Sequence, residues 1–166
     1  MVREVIITAN GKGERMKEIT DQKFSLFFRD KRILEHLLDT FPDATILTYH
    51  KIPYVDQKRI KTIPKTNTRK ETLQFIREKT NVLIVDADIY IEDKLDISRR
   101  DNLFQKDVLF IKKSRGRIIN SGLYFVRSVG DLVDRMEADE IIMDDYNLCL
   151  LNTIHLGTPE EYNSAR

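Results

Sequence analysis

Two short, unbroken apolar runs constrain the fold of this chain most: residues 5–7 (Val-Ile-Ile) and residues 82–85 (Val-Leu-Ile-Val). Neither run alternates apolar with polar residues, and both are rich in β-branched side chains. Such runs predict strands that are buried on both faces, which is typical of parallel sheets. Further strands are predicted at residues 44–49, 108–111, 123–126 and 153–156.

Helical patterns separate these strands. Apolar residues recur at helical spacing just before Pro42, at Ile33, Leu34, Leu37, Leu38 and Phe41. Two more helices are predicted at residues 69–79 and 131–138, and Thr158, Pro159 and Glu161 are the start signals of a last one. Strands that alternate with helices predict an α/β fold with a mostly parallel central sheet. In such sheets, ligands bind beyond the carboxyl ends of the strands.

The composition limits the classes of protein to which the chain can belong. The length of 166 residues fits one domain, residues 1–166, and the net charge of +1 is unlike that of a protein that coats nucleic acid. No apolar run is long enough to span a membrane and no signal peptide is evident, so we expect a cytoplasmic protein. The one cysteine, Cys149, excludes an internal disulfide and is expected to be a small core residue.

A glycine-containing loop follows the first predicted strand, with the sequence Thr8-Ala9-Asn10-Gly11-Lys12-Gly13-Glu14-Arg15-Met16. Its two glycines let a backbone approach a ligand closely, and successive N–H groups can cradle phosphate oxygens. Arg15 and Lys23 would neutralise phosphate charge. As a bare Gly-x-Gly, the segment is equally compatible with an ordinary tight turn between a strand and a helix.

Two carboxylates, Asp86 and Asp88, follow the strand at residues 82–85. At this spacing on an extended chain both side chains project to the same side, where they can hold a hard divalent cation. The alternative is that one of them only caps a turn. Both aspartates and the glycine loop follow predicted strands, so we expect the two segments to share one edge of the sheet.

Four segments, taken in their order along the chain, resemble motifs of the sugar-phosphate nucleotidylyltransferases (nucleoside-diphosphate-sugar pyrophosphorylases) of the nucleotidyltransferase superfamily. They are the loop with Gly11, Lys12, Gly13, Arg15 and Met16 followed by Lys23; Asp86-Ala87-Asp88; Asn120-Ser121-Gly122-Leu123-Tyr124; and Gly157-Thr158-Pro159-Glu160-Glu161-Tyr162. The resemblance implies a three-layer α/β/α, Rossmann-like nucleotidyltransferase fold. It also implies Mg²⁺-dependent transfer of a nucleoside monophosphate from a nucleoside triphosphate to a sugar phosphate, with release of pyrophosphate, as in nucleotide-sugar biosynthesis.

The resemblance also assigns roles to individual residues. Nucleotide binding is expected at Ala9, Asn10, Gly11, Lys12, Gly13 and Arg69. Arg15 is assigned to the β- and γ-phosphates, Lys23 to the transferred phosphate, and Asp88 to Mg²⁺. Asn120 and Gly122 are assigned to the acceptor. The expected partners are a nucleoside triphosphate and a phosphorylated small molecule, with no nucleic acid and no membrane, and the chain is a candidate homo-oligomer.

The sequence departs from the family at the second metal position, where His155 replaces the usual aspartate. Either His155 or Asp86 therefore completes the predicted metal site with Asp88. Because a neutral imidazole suits Mn²⁺ better than Mg²⁺, we expect Mn²⁺ to support activity at least as well as Mg²⁺. Two alternatives remain open. Residues 69–73 and 84–88 resemble the cytidylyltransferases that act on alcohol phosphates such as phosphocholine, and a non-catalytic nucleotide-sensing module could share the fold.

Overall fold

The computed structural model describes residues 1–11, 22–95 and 103–166. Its strands are β1 (Glu4–Thr8), β2 (Phe27–Phe28), β3 (Lys31–Arg32), β4 (Thr45–Thr48), β5 (Ile60–Thr62), β6 (Thr80–Asp86), β7 (Ile89–Ile91), β8 (Val108–Ser114), β9 (Arg117–Ser128), β10 (Asn147–Leu150) and β11 (Thr153–His155). The helices are α1 (Ile33–Thr40), α2 (Arg69–Gln74), α3 (Val129–Arg135) and α4 (Pro159–Ala165). Short 3₁₀ turns lie at Lys23–Ser25, Gln57–Arg59, Leu103–Gln105 and Met143–Asp145.

Seven strands form the central sheet in the order β10-β8-β9-β6-β1-β4-β5. All of them run in one direction except β9, which is antiparallel to β6 and to β8. The exception follows from the connection between β8 and β9, a two-residue loop in which Arg115 and Gly116 both have positive φ angles, of 50° and 75°. Such loops form tight hairpins and cannot join parallel strands. The predicted mostly parallel sheet is confirmed.

Helices cover both faces of this sheet, which confirms the predicted three-layer α/β/α fold. Consecutive residues of β1 point to opposite faces, so Ile7 packs in one apolar core with Leu34 of α1. Ile6 packs in the other core, with Leu73 of α2 and Leu132 of α3. All of these side chains are buried, so the two cores hold the sheet between its helical layers.

The structure corrects several details of the sequence-based prediction. The strand predicted at residues 153–156 is β11, and it pairs with β7 in a separate two-stranded sheet. The helix predicted at residues 69–79 ends at Gln74. Cys149 is only partly buried, because β10 lies at the edge of the sheet and leaves one side without a neighbouring described strand. No helix among the described residues is both long and apolar enough to cross a membrane.

Candidate active site

A cleft lies at the carboxyl ends of β1 and β6, the edge at which the sequence predicts the site. The two strands are neighbours in register, with Thr8 opposite Asp86, so the residues that follow them meet at one edge of the sheet. The cleft has a volume of about 610 Å³, and its lining includes Ala9, Gly11 and Asp88. Lys12, Gly13 and Arg15, which were predicted to bind the nucleotide, lie outside the described residues.

An ion pair between Lys23 and Asp88 lies in this cleft. The Lys23 Nζ and Asp88 Oδ2 atoms are 3.0 Å apart, and each side chain is 16% exposed. The backbone holds Asp88 in place, because its carbonyl accepts a hydrogen bond of 2.8 Å from the Leu156 N–H. Lys23 opens a 3₁₀ turn that is anchored in the first core by the buried Phe24. The predicted phosphate-binding lysine and the predicted metal-binding carboxylate are therefore brought together.

Gly157 belongs to the same cluster, although sequence reasoning did not assign it to the site. A Cβ atom at Gly157 would lie far inside van der Waals contact with Asp88 Oδ2 and 3.5 Å from Lys23 Nζ. The position therefore admits only a residue without a side chain while the Lys23–Asp88 pair keeps its place. The glycine was visible in the Gly157-Thr158-Pro159 segment, but only the tertiary structure shows its contact with Asp88.

Replacement of Gly157 with alanine tests this close contact. We expect Gly157→Ala to lower kcat/KM by at least about 10-fold, because the added methyl group displaces the Asp88 carboxylate, and misplacement by about 1 Å can cost about 10²-fold in rate. The melting temperature should change little, since the flexible side chain of Asp88 can move away. Gly116→Ala is the control for activity, because a Cβ atom added at Gly116 would have no neighbouring atom within 4 Å. Its positive φ of 75° disfavours alanine, so this variant should lower the melting temperature and leave the kinetics unchanged. Unchanged kinetics in Gly157→Ala would contradict the contact.

A second ion pair forms the wall of the cleft beside the first. Arg69 Nη1 lies 3.1 Å from Asp86 Oδ1 and donates a hydrogen bond of 3.3 Å to the hydroxyl oxygen of Tyr124. The carboxylate of Asp86 raises the pKa of Arg69 above its ordinary value, although burial acts in the opposite direction. The sequence predicts Asp86 as a metal ligand and Arg69 as a nucleotide ligand. The structure brings both side chains together in the lining of the cleft, where they form an ion pair, and the two roles stay predictions.

Removal of the Arg69 guanidinium should destabilise the protein. In Arg69→Met, the carboxylate of Asp86 and the hydroxyl of the fully buried Tyr124 lose a shared partner. We expect the free energy of unfolding to fall by about 3 kcal/mol, as when one partner of a largely buried ion pair is deleted. Denaturant unfolding measures the loss, and Arg77→Met, which breaks the more exposed pair with Asp134, should cost less than about 1 kcal/mol. Equal losses in the two variants would contradict a structural role for Arg69.

Asn10 lines the cleft, and its side-chain amide also holds the loop after β1 in place. Its side chain is buried, donates a hydrogen bond of 2.6 Å to Thr66 Oγ1 and accepts one of 2.6 Å from the Tyr49 N–H. The next residue, Gly11, is held through its carbonyl oxygen, which lies 3.2 Å from His50 Nε2. The predicted nucleotide loop is therefore tied to the segments that follow β4 and β5.

The predicted acceptor residues, Asn120 and Gly122, lie at an irregularity of β9. The register between β8 and β9 shifts there, and Gly122, with a φ of 98°, donates its N–H to the side-chain oxygen of Asn120 over 2.7 Å. A Cβ atom at Gly122 would come within 2.7 Å of Ile89, the residue after Asp88. The pair therefore adjoins the β7 segment, whereas neither residue is part of the lining of the cleft that holds Lys23 and Asp88.

His155, the predicted second metal position, lies at the end of β11 opposite Ile89. Burial lowers the pKa of His155 and the positive charge of Lys112 lowers it further, whereas the carboxylate of Asp88 acts in the opposite direction. The imidazole is therefore neutral at pH 7. Within residues 1–11, 22–95 and 103–166, no three His, Cys, Asp or Glu side chains are grouped so that they alone could hold a metal ion.

Comparisons with solved structures identify proteins that share this fold. The chain superimposes on a Bacillus anthracis protein provisionally assigned as a glucose-1-phosphate thymidylyltransferase, with a TM-score of 0.76, 12% identity, and coverage of 98% of this chain and 93% of that one. The CTP:phosphocholine cytidylyltransferase of Streptococcus pneumoniae matches with a TM-score of 0.74, 16% identity and coverage of 97% and 96%. A nucleoside-diphosphate-sugar pyrophosphorylase of Vibrio cholerae matches with a TM-score of 0.68, 14% identity and coverage of 97% and 98%.

The chain has the nucleotidyltransferase fold. The matches extend over nearly the whole of each chain, so the resemblance noted in the sequence is confirmed at the level of fold. Neither a protein-family model nor a curated protein sequence matches the chain. At sequence identities of 12–16%, these matches show the fold alone. The reaction therefore has to be argued from the residues of the site.

Proposed function

We propose that this protein is a nucleotidyltransferase, which transfers a nucleoside monophosphate from a nucleoside triphosphate to a sugar phosphate and releases pyrophosphate. The observation that carries the proposal is the Lys23–Asp88 pair beside Gly11, at the carboxyl ends of the strands of a nucleotidyltransferase fold. An ordinary strand-to-helix turn would not require a lysine and a carboxylate that are both largely withdrawn from solvent at the same strand ends.

In the proposed reaction, an oxygen of the acceptor phosphate attacks the α-phosphorus of the triphosphate. A new P–O bond forms to the acceptor, and the bond between the α-phosphorus and the bridging oxygen breaks, so that pyrophosphate leaves with the electron pair. The acceptor phosphate is already ionised at neutral pH, and no protein nucleophile is needed. The chain must instead hold two anions together, and positioning of this kind contributes on the order of 7–11 kcal/mol.

Lys23 is a cation of the cleft that is placed for this task. Its ammonium lies next to the backbone of Gly11, about 4.0 Å from where a Cβ atom would be, so it faces the proposed phosphate loop. Negative charge increases between the two phosphates as the new bond forms, and a fixed ammonium there stabilises the transition state more than the bound substrate. Arg15 is assigned to the leaving phosphates from the sequence alone, since it lies outside the described residues.

The residues present fit a divalent cation that is held jointly by protein and substrate. Mg²⁺ is usually bound by one or two carboxylates together with phosphate oxygens and water, not by a complete protein cage. Asp88 supplies such a carboxylate, and Asp86 a second if its pairing with Arg69 is exchanged. When bound, the cation would neutralise charge on the triphosphate and on the leaving pyrophosphate.

Alcohol phosphates are the second candidate class of acceptor. The match to the phosphocholine cytidylyltransferase has a TM-score of 0.74, and the segments at Arg69 and Asp86 are those that resemble the alcohol-phosphate enzymes in sequence. Both classes of acceptor share the reaction described above. A nucleotide-sensing module of the same fold remains the non-catalytic alternative.

A substrate panel distinguishes these functions. Pyrophosphate release should be measured with each common nucleoside triphosphate, combined with sugar phosphates and with alcohol phosphates such as phosphocholine. We expect one nucleotide and one acceptor class to give turnover that requires both substrates and a divalent cation. Nucleotide binding by calorimetry without turnover on any acceptor of the panel would favour the sensing module.

The choice of metal tests the role of His155. If the neutral imidazole completes the metal site, Mn²⁺ should support activity at least as well as Mg²⁺. Because burial and Lys112 lower the pKa of His155, the imidazole stays unprotonated at pH 7. Activity should therefore be lost only at a pH below the ordinary histidine value of about 6.5. His155→Asp should then improve Mg²⁺ affinity and move the acid-side loss to lower pH. A variant with the original metal preference and pH profile would place His155 outside the metal site.

A further inference from the structure

The two edges of the central sheet differ in a way that the proposed reaction does not explain. At one edge, the short strand β5 carries the exposed Lys61 and is preceded by Lys58 and Arg59. Charged side chains on an edge strand prevent it from pairing with another chain. The β5 edge is therefore protected in the usual way.

The opposite edge, β10, lacks this protection. Residues 147–154 contain no Lys, Arg, Asp, Glu or Pro. Leu148 and Leu150 are 48% and 67% exposed, and their spacing of two residues places both on one face of the strand. Among the described strands β10 pairs only with β8, so the hydrogen-bonding groups on its outer side face no other described strand. An uncharged, apolar edge of this kind is a template for strand addition.

We propose that β10 pairs antiparallel with β10 of a second copy of this chain. The sequence of the strand favours a copy of itself over another partner, because Leu148-Cys149-Leu150 reads the same in both directions. Pairing about a two-fold axis at Cys149 places Leu148 opposite the partner's Leu150, and the reverse, on one face of the joined sheet. Because neither strand carries charge, no like charges meet across the axis.

This pairing leaves the candidate active site open. The cleft lies between β1 and β6, and β6 is separated from β10 by β9 and β8. The two seven-stranded sheets would form one continuous sheet with a cleft in each half. A pairing of four residues per chain is small for a protein interface, so the dimer should be reversible and should form as the concentration rises.

Light scattering coupled to size exclusion tests the dimer. The mass of the wild-type chain should rise from 19.6 kDa towards twice this value as the loading concentration increases. Leu150→Lys should remain at 19.6 kDa throughout, because it places a charge on the proposed interface while changing a side chain that is 67% exposed. Thr62→Lys, which adds the same charge to the exposed end of β5, is the matched control and should behave as the wild type. Circular dichroism confirms that each variant is folded.

Oxidative cross-linking tests the register. Residues that face each other in an antiparallel pair have Cα atoms about 4.5–5.5 Å apart, within the range that a disulfide spans. The native Cys149 should therefore give a covalent dimer after mild oxidation, and Leu150→Lys should abolish it. A wild type that stays monomeric at every concentration and gives no covalent dimer would overturn the proposal, as would a dimer that persists in Leu150→Lys. Neither result bears on nucleotidyl transfer.

Discussion

Asp88→Asn should reduce kcat/KM by at least about 10³-fold while the protein remains folded. The substitution is nearly isosteric, but it removes the charge that pairs with Lys23 and that would hold a divalent cation. Loss of metal and charge stabilisation at a phosphoryl centre costs several kcal/mol, and about 4 kcal/mol corresponds to this factor. Steady-state kinetics of pyrophosphate release measure the effect, and the melting temperature reports on the fold.

Asp134→Asn is the matched control, because it removes the charge of an exposed carboxylate on α3 that does not line the cleft. Its kinetics should equal those of the wild type. If Asp88→Asn keeps its metal-dependent activity within about threefold of the wild type, which is well under 1.4 kcal/mol of barrier, Asp88 is not the metal-binding residue.

Lys23→Met should lower kcat by at least about 10²-fold, with a smaller change in KM. The ammonium is fixed by Asp88 and lies beside Gly11, so it is positioned before the substrate binds and meets the charge that develops in the transition state. Methionine keeps the length of the side chain and removes only its charge. Lys106→Met, at a lysine near the opposite end of the sheet, should leave both constants unchanged.

The split between kcat and KM decides the role of Lys23. A raised KM with unchanged kcat would make Lys23 a residue that binds ground state and transition state equally. The double variant with Asp88→Asn adds a further test, because the two side chains form one ion pair. Their effects should be less than additive if the pair acts as a unit.

The sequence predicts the framework of this fold because its main strands carry strong local signals. The strands around residues 5–7 and 82–85 are unbroken apolar runs, and the rule that ligands bind at the carboxyl ends of parallel strands places Gly11 and Asp88 in one cleft. The start of α4 was equally clear, since Thr158 accepts a hydrogen bond from the Glu161 N–H as the capping signal predicts.

Other features depend on tertiary contacts that leave no local pattern. The edge strand β5 has one apolar residue in three, so it lacks the apolar run that identifies a strand. The edge strand β10 does carry an apolar run, but its two exposed leucines show that such a run need not be buried. The pairing of Asp86 with Arg69 joins residues 17 positions apart, and no local pattern indicates that this predicted metal ligand also forms an ion pair. Likewise, the buried amide of Asn10 is explained only by its partners Thr66 and Tyr49.

The fate of an isotopic label tests nucleotidyl transfer most directly. The protein is incubated with its preferred triphosphate, labelled at the α-phosphorus in one reaction and at the γ-phosphorus in another, together with the acceptor phosphate. Nucleotidyl transfer predicts that the α-label is found in the acceptor product and the γ-label in pyrophosphate. Release of the γ-label as orthophosphate, or its transfer to the acceptor, would show attack at a different phosphorus and would contradict the proposed reaction.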